Sequence, residues 1–324
     1  MTTQPLPSKL HVVVLDDYQQ LIGSSADWSR LGAESTVTFL AEHLEGSDLI
    51  DALIDAQVVV AVRERTPLPA EILAQLPELR LIVTAGMWNA SIDLDAARAR
   101  GIEVCGTRGI DGSAAELTWA LILAALRHVP DEDRSMRNGG WQTTIGTDLE
   151  GHTLGVIGLG RLGSRVARIG IAFGMEVLAW STHLDQQHAR QLGVTPVAKE
   201  ELLRRSDVVS LHLKLSDRSR GTIGAAELSI MKPTAWLINT SRGPLVDESA
   251  LLDILDQRRI GGAALDVYDR EPLPSDHRLR SLPNTVLTPH LGYVTVDTYR
   301  RFFSDAVEDI MALQDGSPIR VLPR

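Results

Sequence analysis

The sequence contains a single cysteine, Cys105, and this scarcity limits both its chemistry and its compartment. One cysteine cannot form an intrachain disulfide, so we expect the protein in a reducing cytoplasm. No stretch approaches the roughly 20 apolar residues of a membrane span, and the polar segment 1–9 lacks the apolar core of a signal peptide. We interpret Cys105 as a packing residue at a strand end rather than as a catalytic thiol.

Positive charge is also scarce. Only 32 Lys and Arg residues stand against 42 Asp and Glu residues, which gives a formal net charge of -10 at pH 7. Because proteins that bind nucleic acids or anionic membranes cluster Lys and Arg, we expect neither as a partner, and any phosphate must be bound locally. The length of 324 residues and the hydrophobic content of 44% are those of an ordinary globular protein of about two domains.

The first hundred residues alternate short β-branched runs with helical patterns, which is typical of βα units and a parallel sheet. The predicted strands are 11–15, 36–40, 57–62, 80–83 and 102–104. From 113 to 129 the apolar pattern is long and dense, and Glu116 follows Ser113 at the spacing of a capping box. We interpret this segment as a helix that bridges two domains.

A second βα series begins beyond Trp141. Its predicted strands are 154–157, 176–179, 208–211, 235–238, 262–265 and 285–287. Segment 296–314 has helical spacing and opens no new sheet, so we expect it to pack back on the first domain. The sequence therefore predicts an α/β fold of two doubly wound parallel sheets. The first domain would be discontinuous, with residues 1–112 plus 293–324, and the second would span residues 113–292.

The clearest functional signal is the run G-L-G-R-L-G at residues 158–163, directly after an apolar strand. The spacing G-x-G-x-x-G at a strand-to-helix turn is typical of a dinucleotide-binding site. Gly158 permits the tight turn, Gly160 lets the pyrophosphate approach, and Gly163 allows close packing of helix on strand. A helix is predicted from Leu162 to Phe173, and Arg161 and Leu162 join the predicted cofactor site. The alternative is a glycine-rich turn without a ligand.

The acid that usually binds the adenosine ribose is missing. About 20 residues after the glycine run, Ser181 stands where an Asp or Glu is expected. The carboxylate that selects NAD is therefore absent, and no arginine follows directly to bind a 2′-phosphate. Ser181, Thr182 and His183 could still donate hydrogen bonds to one. We predict NAD(H) or NADP(H) as the cofactor and leave the preference open.

Three further motifs follow predicted strands, at the edge where open α/β sheets bind their ligands. They are N-T-S-R-G at 239–243, the segment 265–272 with Asp266 and Glu271, and T-P-H-L-G at 288–292. Together with the glycine run, in this order and spacing, they resemble the D-isomer-specific 2-hydroxyacid dehydrogenase family. That family includes phosphoglycerate dehydrogenases and glyoxylate/hydroxypyruvate reductases. The resemblance covers nearly the whole chain and implies that both domains are Rossmann-like.

The resemblance implies an active centre of Arg242, Glu271 and His290, and the chemistry independently suits these residue types. Oxidation of a secondary alcohol needs a base that titrates near neutrality, which a histidine supplies, and a carboxylate would orient its ring. The fork of a guanidinium matches the planar carboxylate and carbonyl of a 2-oxo acid. The alternatives are a surface ion pair for Arg242, a loop end for Glu271 and a packed loop histidine for His290.

The resemblance also implies further contacts. For the cofactor these come from Leu213, Ser216, Thr240, Ser241, Asp266 and Gly292. The alternative role of Asp266 is to cap a helix or loop. Backbone amides of Gly86 and Met87 would bind the substrate beside Arg242 and His290. No metal site is predicted, and a homodimer through the region 113–141 is implied.

Two loops depart from the family pattern. Met87 and Trp88 stand where small residues are common, and Trp88 would either line the substrate pocket or pack between domains. Lys214 replaces a usual proline and would lie either near the pyrophosphate or in solvent.

The sequence thus predicts an NAD(P)-dependent oxidoreductase that interconverts a small D-2-hydroxy acid and its 2-oxo acid. The alternative is a nucleotide-sensing binding protein, similar to the transcriptional corepressors that share this fold. Neither the identity of the acid nor the direction of the reaction follows from the sequence.

Overall fold

A computed structural model of the chain describes Leu6 and residues 9–110 and 112–323. Its contacts divide the chain into two units, Met1–Ile110 with Val294–Arg324 and Asp111–Tyr293. Each unit is built on its own parallel sheet, so the predicted α/β fold with two such sheets is confirmed.

The first unit consists of βα repeats followed later by a returning helix. Its strands are β1 (His11–Val14), β2 (Thr36–Phe39), β3 (Val58–Ala61), β4 (Leu81–Thr84) and β5 (Glu103–Gly106), and its helices begin with α1 (Ile22–Ser25), α2 (Gly46–Leu53), α3 (Ala70–Leu73) and α4 (Leu94–Ala99). The strand order is β2-β1-β3-β4-β5, with every pairing parallel. Strands β3 and β4 are buried along their whole length, as expected for a sheet covered on both faces. All five predicted strands are present, shifted by one or two residues at their ends.

The second unit holds the larger sheet. Its helices are α5 (Ser113–Leu126), α6 (Val129–Arg137), α7 (Arg161–Ala172), α8 (Gln186–Gln191), α9 (Lys199–Arg205), α10 (Ala225–Ser229) and α11 (Glu248–Asp256). Its strands are β6 (Thr153–Ile157), β7 (Glu176–Trp180), β8 (Thr195–Pro196), β9 (Val208–Leu211), β10 (Trp236–Asn239), β11 (Gly262–Leu265) and β12 (Thr285–Leu287). Six strands match the prediction. The seventh, β8, was missed because a two-residue strand has no recognisable period.

The strand order of this sheet creates a binding position. It runs β12-β11-β10-β9-β6-β7-β8, so the chain leaves β6 in one direction toward β7 and later returns on the other side through β9. Ligands of open α/β sheets bind outside the carboxyl ends of the strands at such a reversal. The glycine run follows β6 directly and therefore lies at this position.

Two details of the region after residue 110 differ from prediction. Ser113 is the first residue of α5 and Gly112, with φ at 141°, is its N-cap, so the predicted capping box does not form. The helix also ends at Leu126 instead of continuing to residue 129, because His128 adopts the left-handed conformation and α6 starts after it. Within the second unit α5 packs against α7 and three strands.

The returning helix α12 (Val296–Gln314) completes the first unit, and its limits match the predicted segment. Thr295 caps it by accepting a hydrogen bond from the backbone N–H of Thr298. Phe303 is fully buried, with its ring 6.4 Å from that of Trp28 and 5.3 Å from that of Tyr299. These aromatic contacts fix α12 on the first unit.

Ion pairs between two arginines and two buried aspartates of α12 connect this helix to neighbouring segments. The backbone N–H, Nε and Nη2 of Arg108 all donate to the carboxylate of Asp305, at 2.8, 3.0 and 2.7 Å. Arg320 donates from Nε to Asp309 at 2.9 Å, and burial raises the pKa of Asp309 to about 7. Burial, followed by the charge of Asp309, raises the pKa of the nearby Cys105 thiol, which agrees with a packing role for this cysteine.

The aromatic cluster on α12 yields a stability prediction. Phe303→Ala should lower the free energy of unfolding by about 3 to 5 kcal/mol, since it leaves a cavity between Trp28 and Tyr299. Val296→Ala on the same helix is the control, because Val296 is 66% exposed and its truncation should change little. Urea denaturation followed by tryptophan fluorescence measures both. Equal midpoints for the two variants would contradict the assigned packing.

Candidate active site

The sequence motifs converge at the carboxyl edge of the second sheet. Segment 158–163 follows β6, segment 239–243 follows β10, segment 266–271 follows β11, and segment 288–292 follows β12. Because these strands are parallel neighbours in one sheet, their carboxyl ends share one edge. The fold therefore collects the predicted chemical groups on the side where ligands bind.

The glycine turn fits a dinucleotide pyrophosphate. A Cβ added to Gly158, whose φ is 99°, would lie 2.5 Å from the carbonyl oxygen of His212, and one on Gly163 would lie 2.0 Å from that of Gly158. Neither position has room for a side chain. A Cβ on Gly160 would have no protein atom within 4 Å. The turn is thus closed by backbone at two glycines and open at the third, where a ligand can approach.

The start of α7 supplies the rest of this cradle. Arg161 and Leu162 are its first two residues, with Arg161 exposed and Leu162 partly buried. The backbone N–H of Gly158 donates to the carbonyl oxygen of Trp180 at 2.8 Å. This bond puts the end of β7, and with it Ser181, directly beside the turn. Thr182 follows and is exposed.

Other predicted cofactor residues lie around the ends of β9 and β10. The side chain of Leu213 packs near Gly158. Ser241 donates from Oγ to the carbonyl oxygen of Leu211 at 2.8 Å, and Thr240 Oγ1 lies 2.8 Å from the hydroxyl of Thr118 on α5. These three residues border the turn or its neighbouring strands.

The loop after β9 is partly turned to solvent. Ser216 is exposed, and its backbone N–H donates to Ser219 Oγ at 2.8 Å. Lys214 is exposed as well, while its carbonyl oxygen accepts a hydrogen bond from the same Ser219 hydroxyl. The structure therefore ties these two residues to their own loop.

His212 supports the glycine turn from behind, a role the sequence did not reveal. Its backbone carbonyl is the atom that excludes a side chain at Gly158, and its Nε2 lies 2.9 Å from Ser210 Oγ. Burial lowers the pKa of His212 to about 4, so the ring is neutral at pH 7. The His212 ring therefore adds no positive charge behind the glycine turn.

His290 and Glu271 form a hydrogen-bonded pair. His290 Nδ1 lies 2.5 Å from Glu271 Oε2, and the other carboxylate oxygen accepts the backbone N–H of Tyr268 at 2.9 Å. A carboxylate at Nδ1 holds the proton there and orients the ring. Nε2 is then the ring nitrogen through which His290 can exchange a proton. The Tyr293 ring packs edge-on against the imidazole at 5.4 Å between centroids.

Asp266 holds the loop that carries His290. Its carboxylate is fully buried and accepts hydrogen bonds from Thr288 Oγ1 at 2.6 Å and from the backbone N–H groups of Leu291 and Gly292 at 2.7 and 2.9 Å. Burial raises the pKa of this carboxyl, although the hydrogen bonds act in the opposite direction. Asp266 thus holds the loop 288–292, partly through the N–H of Gly292, and a contact of either residue with the cofactor stays a prediction.

Arg242 sits in a short turn fixed by Asn239. The Asn239 side chain donates to the carbonyl oxygen of Arg242 at 2.9 Å and accepts from the N–H of Ser241 at 3.1 Å. A Cβ on Gly243 would lie 2.1 Å from the carbonyl carbon of Tyr268. Only glycine therefore lets the Arg242 turn lie against the loop that leads to Glu271.

Several supporting residues had no predicted role. Tyr268 donates its hydroxyl to the carbonyl oxygens of Leu265 and Thr288, at 3.2 and 2.9 Å, and so joins the ends of β11 and β12. Asn239 and Thr288 were quoted in motifs without a function. Their position in the sequence could have identified them, since Asn239 is the last residue of β10 and Thr288 directly follows β12.

The predicted substrate loop belongs to the first unit. The N–H of Gly86 already donates to Thr107 Oγ1 at 2.9 Å, so of the two predicted amide donors Met87 is the one left to a substrate. Gly86 has φ at 102°, and a Cβ there would lie 2.1 Å from Arg63 Nη1. Met87 and Trp88 are 45% and 61% exposed, while the buried Asn89 holds the loop by donating to the carbonyl oxygen of Arg63 at 2.6 Å.

Across the described ranges no three His, Cys, Asp or Glu side chains are grouped so that they could hold a metal ion. The helices in those ranges also include none with the length and apolar character needed to cross a membrane.

Comparisons with known proteins agree with this geometry. Residues 119–292 match the model of the D-isomer specific 2-hydroxyacid dehydrogenase, NAD binding domain. The chain is 41% identical to a glyoxylate reductase of Aeropyrum pernix, over 89% of this chain and 86% of that protein. A phosphoglycerate oxidoreductase structure from Vibrio cholerae has a TM-score of 0.91 at 36% identity, covering 95% of this chain and all of that one. A D-lactate dehydrogenase from Aquifex aeolicus, solved with NAD and lactic acid, has a TM-score of 0.76 at 28% identity, with 94% and 96% covered.

The glycine turn predicts a clean separation between binding and folding. Gly160→Ala should leave the thermal midpoint nearly unchanged but raise the Kd for NADH at least about 10-fold, because the new methyl group fills space left for a ligand. Gly163→Ala is the matched variant and should lower the thermal midpoint, since its methyl group meets the Gly158 carbonyl. Fluorescence titration and thermal unfolding measure the two effects. Normal NADH affinity in Gly160→Ala would contradict the assigned cradle.

Proposed function

The chain belongs to the D-isomer specific 2-hydroxyacid dehydrogenase family, and we propose how its own residues carry out the reaction. The enzyme interconverts a D-2-hydroxy acid and its 2-oxo acid with NAD(H). Bound NAD(H) supplies or accepts the hydride. The protein must therefore hold the organic acid and move one proton, and the hydrogen bond between His290 and Glu271 is the observation that carries the proposal.

His290 is the acid and base of the reaction. In reduction, Nε2 gives its proton to the carbonyl oxygen as the hydride reaches the carbonyl carbon, and in oxidation it takes the proton from the hydroxyl. Glu271 keeps the other proton on Nδ1 and stabilises the imidazolium that forms. The three hydrogen bonds of Asp266 to the loop 288–292 keep His290 in position. Asp266 and Gly292 thereby act on the reaction by holding the loop that carries His290 next to the proposed cofactor site.

Arg242 orients the organic acid. A guanidinium presents parallel N–H donors that match a carboxylate and the adjacent carbonyl oxygen, which fixes the carbon that receives the hydride. Its charge also stabilises the negative charge that develops on the carbonyl oxygen. The loop of Gly86 and Met87 is proposed to add a backbone donor from Met87, while Gly86 shapes the loop.

The similarity to a glyoxylate reductase suggests a small 2-oxo acid as the substrate. A 2-oxo acid as small as glyoxylate needs little beyond Arg242, His290 and one amide donor. The same relatives are enzymes, so the corepressor-like alternative is not favoured.

Assembly and compartment are inferred from the surface and composition. We infer a homodimer, because segment 127–149 exposes large apolar side chains and their contact with water is unfavourable. They are Val129, Met136, Trp141 and Ile145, at 53, 52, 72 and 93% exposure. None of the residues of α6 is buried in the single chain. A reducing cytoplasm fits the single buried cysteine.

The proton-transfer role predicts the behaviour of His290→Asn. With glyoxylate or hydroxypyruvate and NADH, kcat should fall by about 10² to 10⁴, while the Kd for NADH stays within about two-fold. His277→Asn is the matched control, since His277 lies 3.1 Å from Glu248 in another half-buried His–Glu pair. It should keep near-normal kcat. The role is refuted if His290→Asn retains turnover or if both variants lose it equally.

The homodimer predicts the effect of a charge at Trp141. Trp141→Glu should convert the protein to monomers in sedimentation equilibrium, because a carboxylate would be buried without a partner in the interface. Leu21→Glu, at a comparably exposed apolar position of the first unit, should leave the dimer intact. A wild-type protein that sediments as a monomer at micromolar concentration would rule the dimer out.

A further inference from the structure

A basic pocket adjoins the glycine turn in the second unit. It has a volume of about 540 Å³ and lies between the start of α7 and the helix α8. Its lining residues are Leu159, Gly160, Arg161, Ser164, Arg165, Arg168 and His188. Among these described lining residues three carry a guanidinium, one an imidazole and none a carboxylate. Such a set of donors is suited to a compact anion.

The charges of α7 are arranged against the usual preference of a helix. Arg161, Arg165 and Arg168 lie at spacings of four and three residues, so they share one exposed face of α7, with Arg161 at the N-terminus and Arg168 about two turns further along. Cations at a helix N-terminus oppose the macrodipole, and like charges four residues apart repel each other. Helices α6 and α9 of this chain instead have acidic first turns and basic last turns. In a protein of net charge -10, the face on α7 indicates a function that needs concentrated positive charge.

The pocket shares Gly160 with the glycine turn, beside which lies the position expected to bind the adenosine ribose. In this fold a carboxylate after the second strand of the sheet binds the ribose 2′-hydroxyl and repels a 2′-phosphate. Ser181 occupies that position, and the bond from Gly158 N–H to the Trp180 carbonyl holds it beside the turn. Gly160 belongs both to the turn and to the pocket wall. His188 comes from α8, the helix that follows Ser181 in the chain.

We propose that the pocket formed by Arg161, Arg165, Arg168 and His188 binds the 2′-phosphate of NADP(H), so that the enzyme accepts NADP(H) as well as NAD(H). This inference rests on the proposed function, because it assumes that the adenosine half of the cofactor lies at the glycine turn. A phosphate monoester adds close to two negative charges, and arginines bind it through paired N–H donors.

The test is a set of equilibrium titrations of the full-length protein, independent of turnover. Wild-type protein should bind NADPH at least as tightly as NADH, and 2′,5′-ADP about 10-fold more tightly than 5′-ADP. Arg168→Gln is the chosen variant because Arg168 lies two turns into α7, away from the glycines. It should weaken NADPH and 2′,5′-ADP about 10-fold while NADH and 5′-ADP stay within about two-fold. Arg204→Gln, an exposed arginine of α9 outside the pocket, should change none of these.

Three outcomes would overturn the inference. In the first, NADPH binds wild-type protein at least about 10-fold more weakly than NADH. In the second, Arg168→Gln weakens the binding of all four nucleotides equally, which would mean that the pocket binds the ADP portion that they have in common. Inorganic phosphate could displace NADPH as well as 2′,5′-ADP does, which would make it a general phosphate site. NADH-dependent reduction of glyoxylate is measured in parallel. Its loss would count against the proposed function, whereas normal NADH turnover without a 2′-phosphate effect would count against the pocket alone.

Discussion

The buried carboxylate of Asp266 fixes the loop on which the candidate chemistry depends. It stands at the end of β11 and accepts three hydrogen bonds from residues 288–292 of the next segment. A buried carboxylate without such partners would be strongly unfavourable, so the loop and the charge stabilise each other. The ring of His290 then meets Glu271, whose second oxygen is held by the backbone of Tyr268. Each group of the pair is thus oriented before any substrate arrives.

Close approach of backbone to backbone is the second constraint on the site. Gly158 and Gly163 let the turn after β6 fold tightly, and Gly243 lets the Arg242 turn lie against the segment after β11. At these three positions a side chain would collide with a carbonyl group. Gly160 has the same residue type for a different reason, because the space in front of it is open. Substitution at these glycines therefore separates folding from ligand binding.

The charged residues of the helices follow two different patterns in this acidic protein. The helices with acidic first turns and basic last turns follow the macrodipole, and Arg137 and Arg205 each pair with a carboxylate on their own helix. Helix α7 differs, because it begins with Arg161 and has no acidic residue in its first turn. This positive end lies beside a turn that fits a pyrophosphate. Behind the turn, burial lowers the pKa of His212 to about 4, so its ring carries no charge at pH 7.

Much of the architecture could be predicted because it depends on local patterns. Buried β-branched strands, the glycine run after β6 and polar residues after strand ends are all visible as short segments, and the predicted strands lie within a residue or two of the observed ones. The short strand β8 was not predicted, because a two-residue strand has no period. The start of α5 at Ser113 matched the prediction, but its N-cap is Gly112 and it ends at Leu126 rather than at residue 129.

The sequence by itself determined the order of the elements and the residue types of the site. Only the tertiary structure decided how those residues are used. In it, the N–H of Gly86 donates to Thr107, and the Asp266 carboxylate accepts hydrogen bonds from the loop 288–292. His188 of α8 lines the same pocket as the arginines of α7. The physical reason is that hydrogen bonds and pockets form between segments far apart in the chain. Their distances and angles follow from packing, which a local pattern does not encode.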